Sequence, residues 1–166
     1  MNEKQKPLAY GDIIPPFKLP GIDNEPVSLA DVRGAQGTVL LFVRGTWCSF
    51  CVSQTLRLNR LLPRLQALDI GVACVAHDPP ALVFAFVESL SHPLQLTMLA
   101  DGEPALARAY GIYNDVYQRP IPSIFYADAN DVVRFVDSND EDRAFDMDGL
   151  VAVIENGVVE PALYAQ

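Results

Sequence analysis

The sequence is short of basic charge. Twelve Lys and Arg stand against 21 Asp and Glu, for a formal net charge of −9. Nucleic acid and anionic membrane surfaces both call for a basic footprint, so neither is expected as a partner. No apolar stretch is long enough to span a bilayer. The opening residues, MNEKQKPLAYGD, contain no apolar leader segment, and a cytoplasmic location is therefore expected. Three cysteines are too few for a disulfide scaffold, and in a reducing compartment a CxxC pair is more often catalytic or metal-binding. Internal repeats and low-complexity tracts are missing too.

What is present suits one globular domain. The chain has 166 residues, half of them hydrophobic and a fifth charged, enough to enclose a proper core. Residues 1–10 read as a polar, loose N-terminus, 11–157 as a single domain and 158–166 as a C-terminal tail. TVLLFV (38–43) and IGVACVA (70–76) are continuous apolar runs rich in strand formers, as expected of strands buried on both faces. Between them Leu58, Leu61, Leu62, Leu65 and Leu68 recur at helical spacing, which predicts an amphipathic helix from Cys51 to about Leu68. Asp78 followed by Pro79 reads as a helix start, with Val83, Phe86, Val87 and Leu90 as the buried face. LQLTMLAD (94–101) reads as a strand and 103–111 as a helix closed by glycine. SIFYAD and VVRFV, flanking Ala129-Asn130, predict a hairpin. A last helix is expected from about Met147 to Asn156, capped by Asp146. The acidic run DSNDEDRAFDMD (137–148) reads as a solvated loop leading into it. Alternating strands and helices around buried strands give an α/β sandwich.

The chemistry concentrates in VRGTWCSFCVSQ (43–54). Cys48 falls where a buried strand ends and a helix begins, and Cys51 lies one turn further on. Residues three apart on a helix share a face at a separation that suits a disulfide. The unpaired N–H groups and dipole of a helix N-terminus favour a thiolate at Cys48. Three readings stand at this level: a redox pair, half of a metal site, or two small core residues. Zinc needs a second pair of ligands, and only Cys74, His77 and His92 remain to supply one. Cys74 lies inside a predicted strand, and no second CxxC or HxxxH is present.

WCSFC resembles the WCxxC site of thioredoxin-fold proteins. The chain from about Tyr10 to Asn156 also resembles the peroxiredoxin-like (alkyl hydroperoxide reductase/thiol-specific antioxidant, AhpC/TSA) branch of that fold. The matching pieces are GDIIPPFKLP, VSLADVRG, RGTWCSFC, and LADGEPALARAYGI ahead of IPSIFYAD. The resemblance implies a thioredoxin-like α/β fold, a central mixed sheet flanked by helices with an N-terminal β-hairpin extension. It implies a cis-proline at Pro122 beside the CxxC, with the Ile121 backbone free to pair with an extended substrate. Trp47 is expected to pack beside the disulfide and to form part of a docking surface. For Arg44 two roles stand open, stabilising the thiolate or an anionic substrate, and capping a strand end. For Arg119 two roles also stand open, substituting for the family's peroxide-binding arginine and being an exposed loop cation, the second the more expected.

The site departs from the PxxxTxxC loop of peroxide-reducing peroxiredoxins. With Cys51 in the peroxidatic position, Arg44 and Cys48 hold the proline and threonine places; with Cys48 there, Leu41 and Gly45 do. The later peroxide-binding arginine is missing just ahead of SIFYAD, where Pro122 stands. Branches with an RGxWCxxC site are known in the family. The function this implies is a thiol-dependent antioxidant oxidoreductase, in which Cys48 and Cys51 cycle between dithiol and disulfide while reducing hydroperoxides. Two alternatives remain: exchange with protein disulfides, and a redox-switched binding module. A hydroperoxide or disulfide substrate and an external thiol reductant, thioredoxin-like or glutathione, are the expected partners, with no metal or organic cofactor.

Overall fold

The computed structural model describes residues 6–157. Its centre is a five-stranded mixed sheet built from β3 (Gly37–Val43), β4 (Ile70–Ala76), β5 (Thr97–Ala100), β8 (Ser123–Asp128) and β9 (Val133–Ser138). The order across the sheet is β5-β4-β3-β8-β9. β3 runs parallel to β4, and β4 to β5, while β8 is antiparallel to both β3 and β9.

Both faces of this sheet are covered, which is why its strands read as unbroken apolar runs. Along β3, Val39, Leu41 and Val43 face one core with Leu58, Leu62 and Leu65 of α2 (Ser49–Ala67) and with Met147, Leu150 and Val153 of α5 (Met147–Asn156). Leu40 and Phe42 face the opposite core, with Leu29 of α1 (Leu29–Val32) and Leu106 and Ala107 of α4 (Ala105–Ala109). There Phe42, Tyr110 and Phe125 pack as a three-ring cluster. The alternation of side chains along a strand sends each apolar residue to one core or the other.

Ahead of the sheet, β1 (Lys18–Pro20) and β2 (Pro26–Ser28) form the expected N-terminal hairpin. Ser28 and Asp31 close a reciprocal capping box on α1. Gly71 is required where α1 meets β4, because a Cβ there would lie 1.7 Å from the Val32 carbonyl oxygen. The N-terminal stretch is tied down from Leu8, whose N–H donates to Tyr110 O at 3.1 Å. The tail 158–166 lies outside the described residues.

Several elements differ from expectation. The helix predicted over 103–111 is the shorter α4; its N-cap is Pro104, and the Asp101 carboxylate, further back in the chain, accepts from the N–H groups of Leu106 and Ala107. A small hairpin of β6 (Tyr113–Asn114) and β7 (Arg119–Pro120) precedes β8; neither strand is long enough to carry a period. In α3 (Pro80–Ser89) only Val83 is fully buried, and Leu82 and Phe84 face outward. Pro79, not Asp78, is the N-cap of α3, and no side chain caps that end. Asp78 is turned back towards the loop after β3.

Candidate active site

β3 ends in a residue that does not fit an apolar run. Arg44 follows Val43 and is only 6% exposed. The chain then crosses Gly45-Thr46-Trp47 and enters α2 at Cys48. Two bonds hold this loop. Asp78, at the end of β4, accepts the Thr46 N–H at 2.7 Å, and Cys48 N–H donates to Gly45 O at 3.3 Å. Parallel pairing of β3 with β4 brings both strand ends to one edge of the sheet, so the carboxylate reaches the loop from the neighbouring strand.

Cys48 is the N-cap of α2, and its Sγ accepts the Cys51 N–H at 3.3 Å. A sulfur here takes the role usually given to a Ser or Asp oxygen and receives one of the unpaired N–H groups of the first turn. Both cysteines are buried, at 5% and 1% exposure, and both are free thiols. Burial, followed by the hydrogen bond to Cys48, pushes the Cys51 thiol up to about 12, against the lowering effect of the Arg44 backbone and charge. Cys51 therefore stays protonated across the ordinary pH range.

Arg44 links the pair to the acidic run. All five N–H donors of its guanidinium are engaged. Nε and Nη2 reach Asp140 Oδ1 at 3.2 and 2.7 Å, and Nη2 also donates to the Asp140 carbonyl at 3.2 Å. Nη1 donates to Asp142 Oδ1 at 2.7 Å and points its other N–H at Cys48 Sγ, 3.7 Å away. Burial works to lower the Arg44 pKa, but the bonds to Asp140, Asp142 and Cys48, with the charge of Asp142, more than offset it and hold the pKa raised. Arg44 is therefore a buried, permanently charged donor beside the sulfur, and not simply a strand cap.

The run 137–148 is correspondingly not a free solvated face. Besides Asp140 and Asp142, Asp137 accepts from Arg143 and from the Asp146 N–H, and Asp146 caps α5 through Gly149 N–H. Arg119 is not a free loop cation either. It lies 3.7 Å from the Asp140 oxygen that also holds Arg44, and its guanidinium sits over the Tyr117 ring. Sequence reasoning missed Asp78, Asp140 and Asp142. One signal for the last two was there: a charged residue directly after a fully buried strand needs a counter-charge, and 137–148 is the richest supply.

The Ile121–Pro122 peptide is trans, correcting the expected cis-proline. Trans is the isomer an X–Pro amide ordinarily favours, by about 0.5–1 kcal/mol. Ile121 N–H already donates to Ile112 O at 2.7 Å, and Ile121 O accepts the Ser123 hydroxyl at 2.8 Å. Pro122 O accepts from Asn139 N–H at 3.1 Å. An added strand would have to displace the first of these bonds. Trp47 stands out at 65% exposure; it is not packed away beside the thiols.

Cys74 lies in β4 with its sulfur 3.8 Å from the Thr55 hydroxyl, and burial pushes its thiol up to about 12, with Thr55 opposing. His77 Nδ1 lies 3.1 Å from Asp101 O, and His92 is exposed. Among the described residues no three His, Cys, Asp or Glu side chains are grouped to hold a metal ion. No helix among them is long and apolar enough to cross a membrane.

The fold agrees with comparisons to known proteins. The chain is 28% identical over 109 residues to the peroxiredoxin Bcp of Escherichia coli K12, covering 66% of this chain and 68% of that protein. It is 24% identical over 132 residues to alkyl hydroperoxide reductase E of Mycobacterium tuberculosis, covering 78% and 85%. The crystal structure of peroxidoxin BcpB from M. tuberculosis superposes with a TM-score of 0.79 at 19% identity, over 90% of this chain and 98% of that one. Enterococcus faecalis AhpC gives 0.80 at 18% identity, over 89% and 90%. These structures share the fold. The profile of the AhpC/TSA family matches residues 10–136, a stretch that includes both site cysteines, and the chain belongs to that family.

Proposed function

We propose that the chain is a thiol-dependent peroxidase in which Cys48 is the nucleophile and Cys51 the resolving thiol. The observation that carries this assignment is the asymmetry between the two sulfurs. Cys48 receives the Arg44 and Cys51 N–H donors, whereas Cys51 is held protonated by burial. The Cys48 thiolate attacks the distal oxygen of a hydroperoxide, the O–O bond breaks, and the alkoxide or hydroxide leaves with a proton from solvent. The Cys51 thiol then attacks the Cys48 sulfenic acid, forming the S–S bond and releasing water. Two electrons from an external thiol, either a thioredoxin-like protein or glutathione, return the disulfide to the dithiol.

Arg44 supplies positive charge where negative charge moves from sulfur to oxygen. The arginine and threonine of the PxxxTxxC type have no counterpart at their usual places, and Arg44, arriving from β3, is the group that fits the role. Trp47, exposed next to Cys48 in the chain, offers a seat for the reductant. The test is stopped-flow mixing of the reduced protein with hydrogen peroxide, followed by Trp47 fluorescence, alongside Cys48→Ser and Cys51→Ser. A second-order reaction well above that of a free thiolate, abolished only by Cys48→Ser, is expected. A rate no faster than a free thiolate's would shift the substrate to a disulfide.

A further inference from the structure

We infer that Asp140 and Asp142 are positioning residues: they fix the Arg44 guanidinium so that a single N–H faces the Cys48 sulfur. The inference rests on the Cys48 assignment above and concerns how that sulfur is activated.

The geometry leaves little alternative for the guanidinium. Four of its five donor contacts go to the loop between β9 and α5: two to Asp140 Oδ1, one to the Asp140 carbonyl and one to Asp142. The remaining Nη1 N–H is the one directed at Cys48. A fork of planar donors bound on both edges cannot rotate about its own axis without breaking charge-assisted bonds. Its depth is fixed as well, since Arg44 is buried while Asp142 is 58% exposed. The loop therefore acts as a lid that grips Arg44 from outside and presents its last donor inward.

The opposite expectation can be stated sharply. Carboxylates beside an arginine dilute its positive charge, so if they did only that, removing them would make Cys48 more reactive. The titratable and charged groups around the sulfur are Arg44 itself, the protonated Cys51 thiol of α2, Asp78 from the end of β4 bound to the Thr46 N–H, Asp140 and Asp142 from the loop, and Arg119 of β7 acting through Asp140. Both aspartates lie C-terminal to the stretch that the family profile matches.

A double-mutant cycle separates the possibilities, with all variants built on Cys51→Ser so that one active-site thiol reacts. The readouts are the rate of iodoacetamide alkylation of Cys48 against pH and the second-order rate with hydrogen peroxide. Asp140→Asn and Asp142→Asn are expected to slow both reactions about tenfold beside an intact Arg44, within the range shown by coupled neighbours. The alkylation profile should move to higher pH. Beside Arg44→Met, the same substitutions should change either rate by less than about twofold. Glu155→Gln, which breaks the exposed pair with Arg64, controls for loss of a surface charge, and thermal unfolding checks that each variant is folded. Equal losses in both backgrounds would mean that the aspartates serve the loop and not Arg44. Faster reaction in the Asn variants would mean that they only dilute charge. Either result overturns the inference. Alkylation reports on the sulfur whatever the oxidant, so a weak peroxide reaction would count against the peroxidase assignment and leave the cycle readable.

Discussion

Arg44 Nη1 and Cys48 Sγ lie 3.7 Å apart, in a pocket where both side chains are less than a tenth exposed. A guanidinium so placed stabilises charge on the sulfur before attack and on the departing oxygen afterwards. Arg44→Met is expected to slow the peroxide reaction about tenfold. That is less than the roughly 10²–10³ carried by a well-aligned oxyanion donor, because an N···S contact of this length is weaker. Arg44→Lys should rescue little, since an ammonium has three donors on a flexible stem and cannot bridge two carboxylates and a sulfur in one plane. Stopped-flow rates for the two variants, compared at a single pH, check this.

The sheet, the paired helices and the position of the two cysteines were legible because each depends on local pattern. The apolar runs of β3 and β4, the leucine spacing of α2 and the Asp146 cap of α5 are all signals within a few residues of one another. The partners of the site are not local. Asp140 and Asp142 lie 96 and 98 residues from Arg44, and a run of aspartates looks the same in sequence whether it faces water or a buried arginine. Asp78 before a proline has the form of a helix cap. The parallel pairing of β3 with β4 puts it beside an unpaired N–H of the neighbouring loop, and that demand won. The trans Pro122 has a different origin, since the expected cis form came from the resemblance and not from any pattern in the residues around it.

Asp78 gives a prediction of its own. It is 7% exposed and accepts the Thr46 N–H at 2.7 Å, tying the loop that carries Trp47 and Cys48 to the end of β4. Asp78→Ala leaves that amide without its partner. A hydrogen bond to a charged group contributes about 1.5–3 kcal/mol, and a loss of that order is expected in urea unfolding. The peroxide rate should fall as well, since the Cys48 N–H bond to Gly45 O depends on the same loop.

The alkaline limb of stability begins with the buried thiols, and Tyr110 and Tyr126, both pushed up by burial, add to it above about pH 10. Cys51 and Cys74 are both held up near 12 in the folded chain, against 9.0 for an unperturbed thiol. A raised folded-state pKa means that the unfolded chain loses these protons first. Stability is then fully present below about pH 9 and falls between about 9 and 12, by up to about 1.4 kcal/mol per pH unit for each thiol. Urea midpoints at pH 7, 8.5 and 10 under reducing conditions should show a plateau and then a decline. Cys74→Ala should flatten the decline and leave the Cys51 contribution. A midpoint unchanged from pH 8.5 to 10 would contradict the burial of these groups as free thiols.

Trp47 is the one indole in the chain, and it stands 65% exposed beside the N-terminus of α2. An aromatic ring of this size costs solvation when left in water and is a common anchor where one protein seats on another. Both cysteines lie below the surface, so a protein reductant has to seat closely over this edge to reach their disulfide, whereas a small thiol does not. Trp47→Ala is therefore expected to raise KM for a thioredoxin-like reductant severalfold, with a smaller effect on kcat. Reduction by dithiothreitol supplies the reference, since it needs no docking surface. A loss of equal size with both reductants would place the effect of Trp47 on the disulfide itself and remove its role in docking.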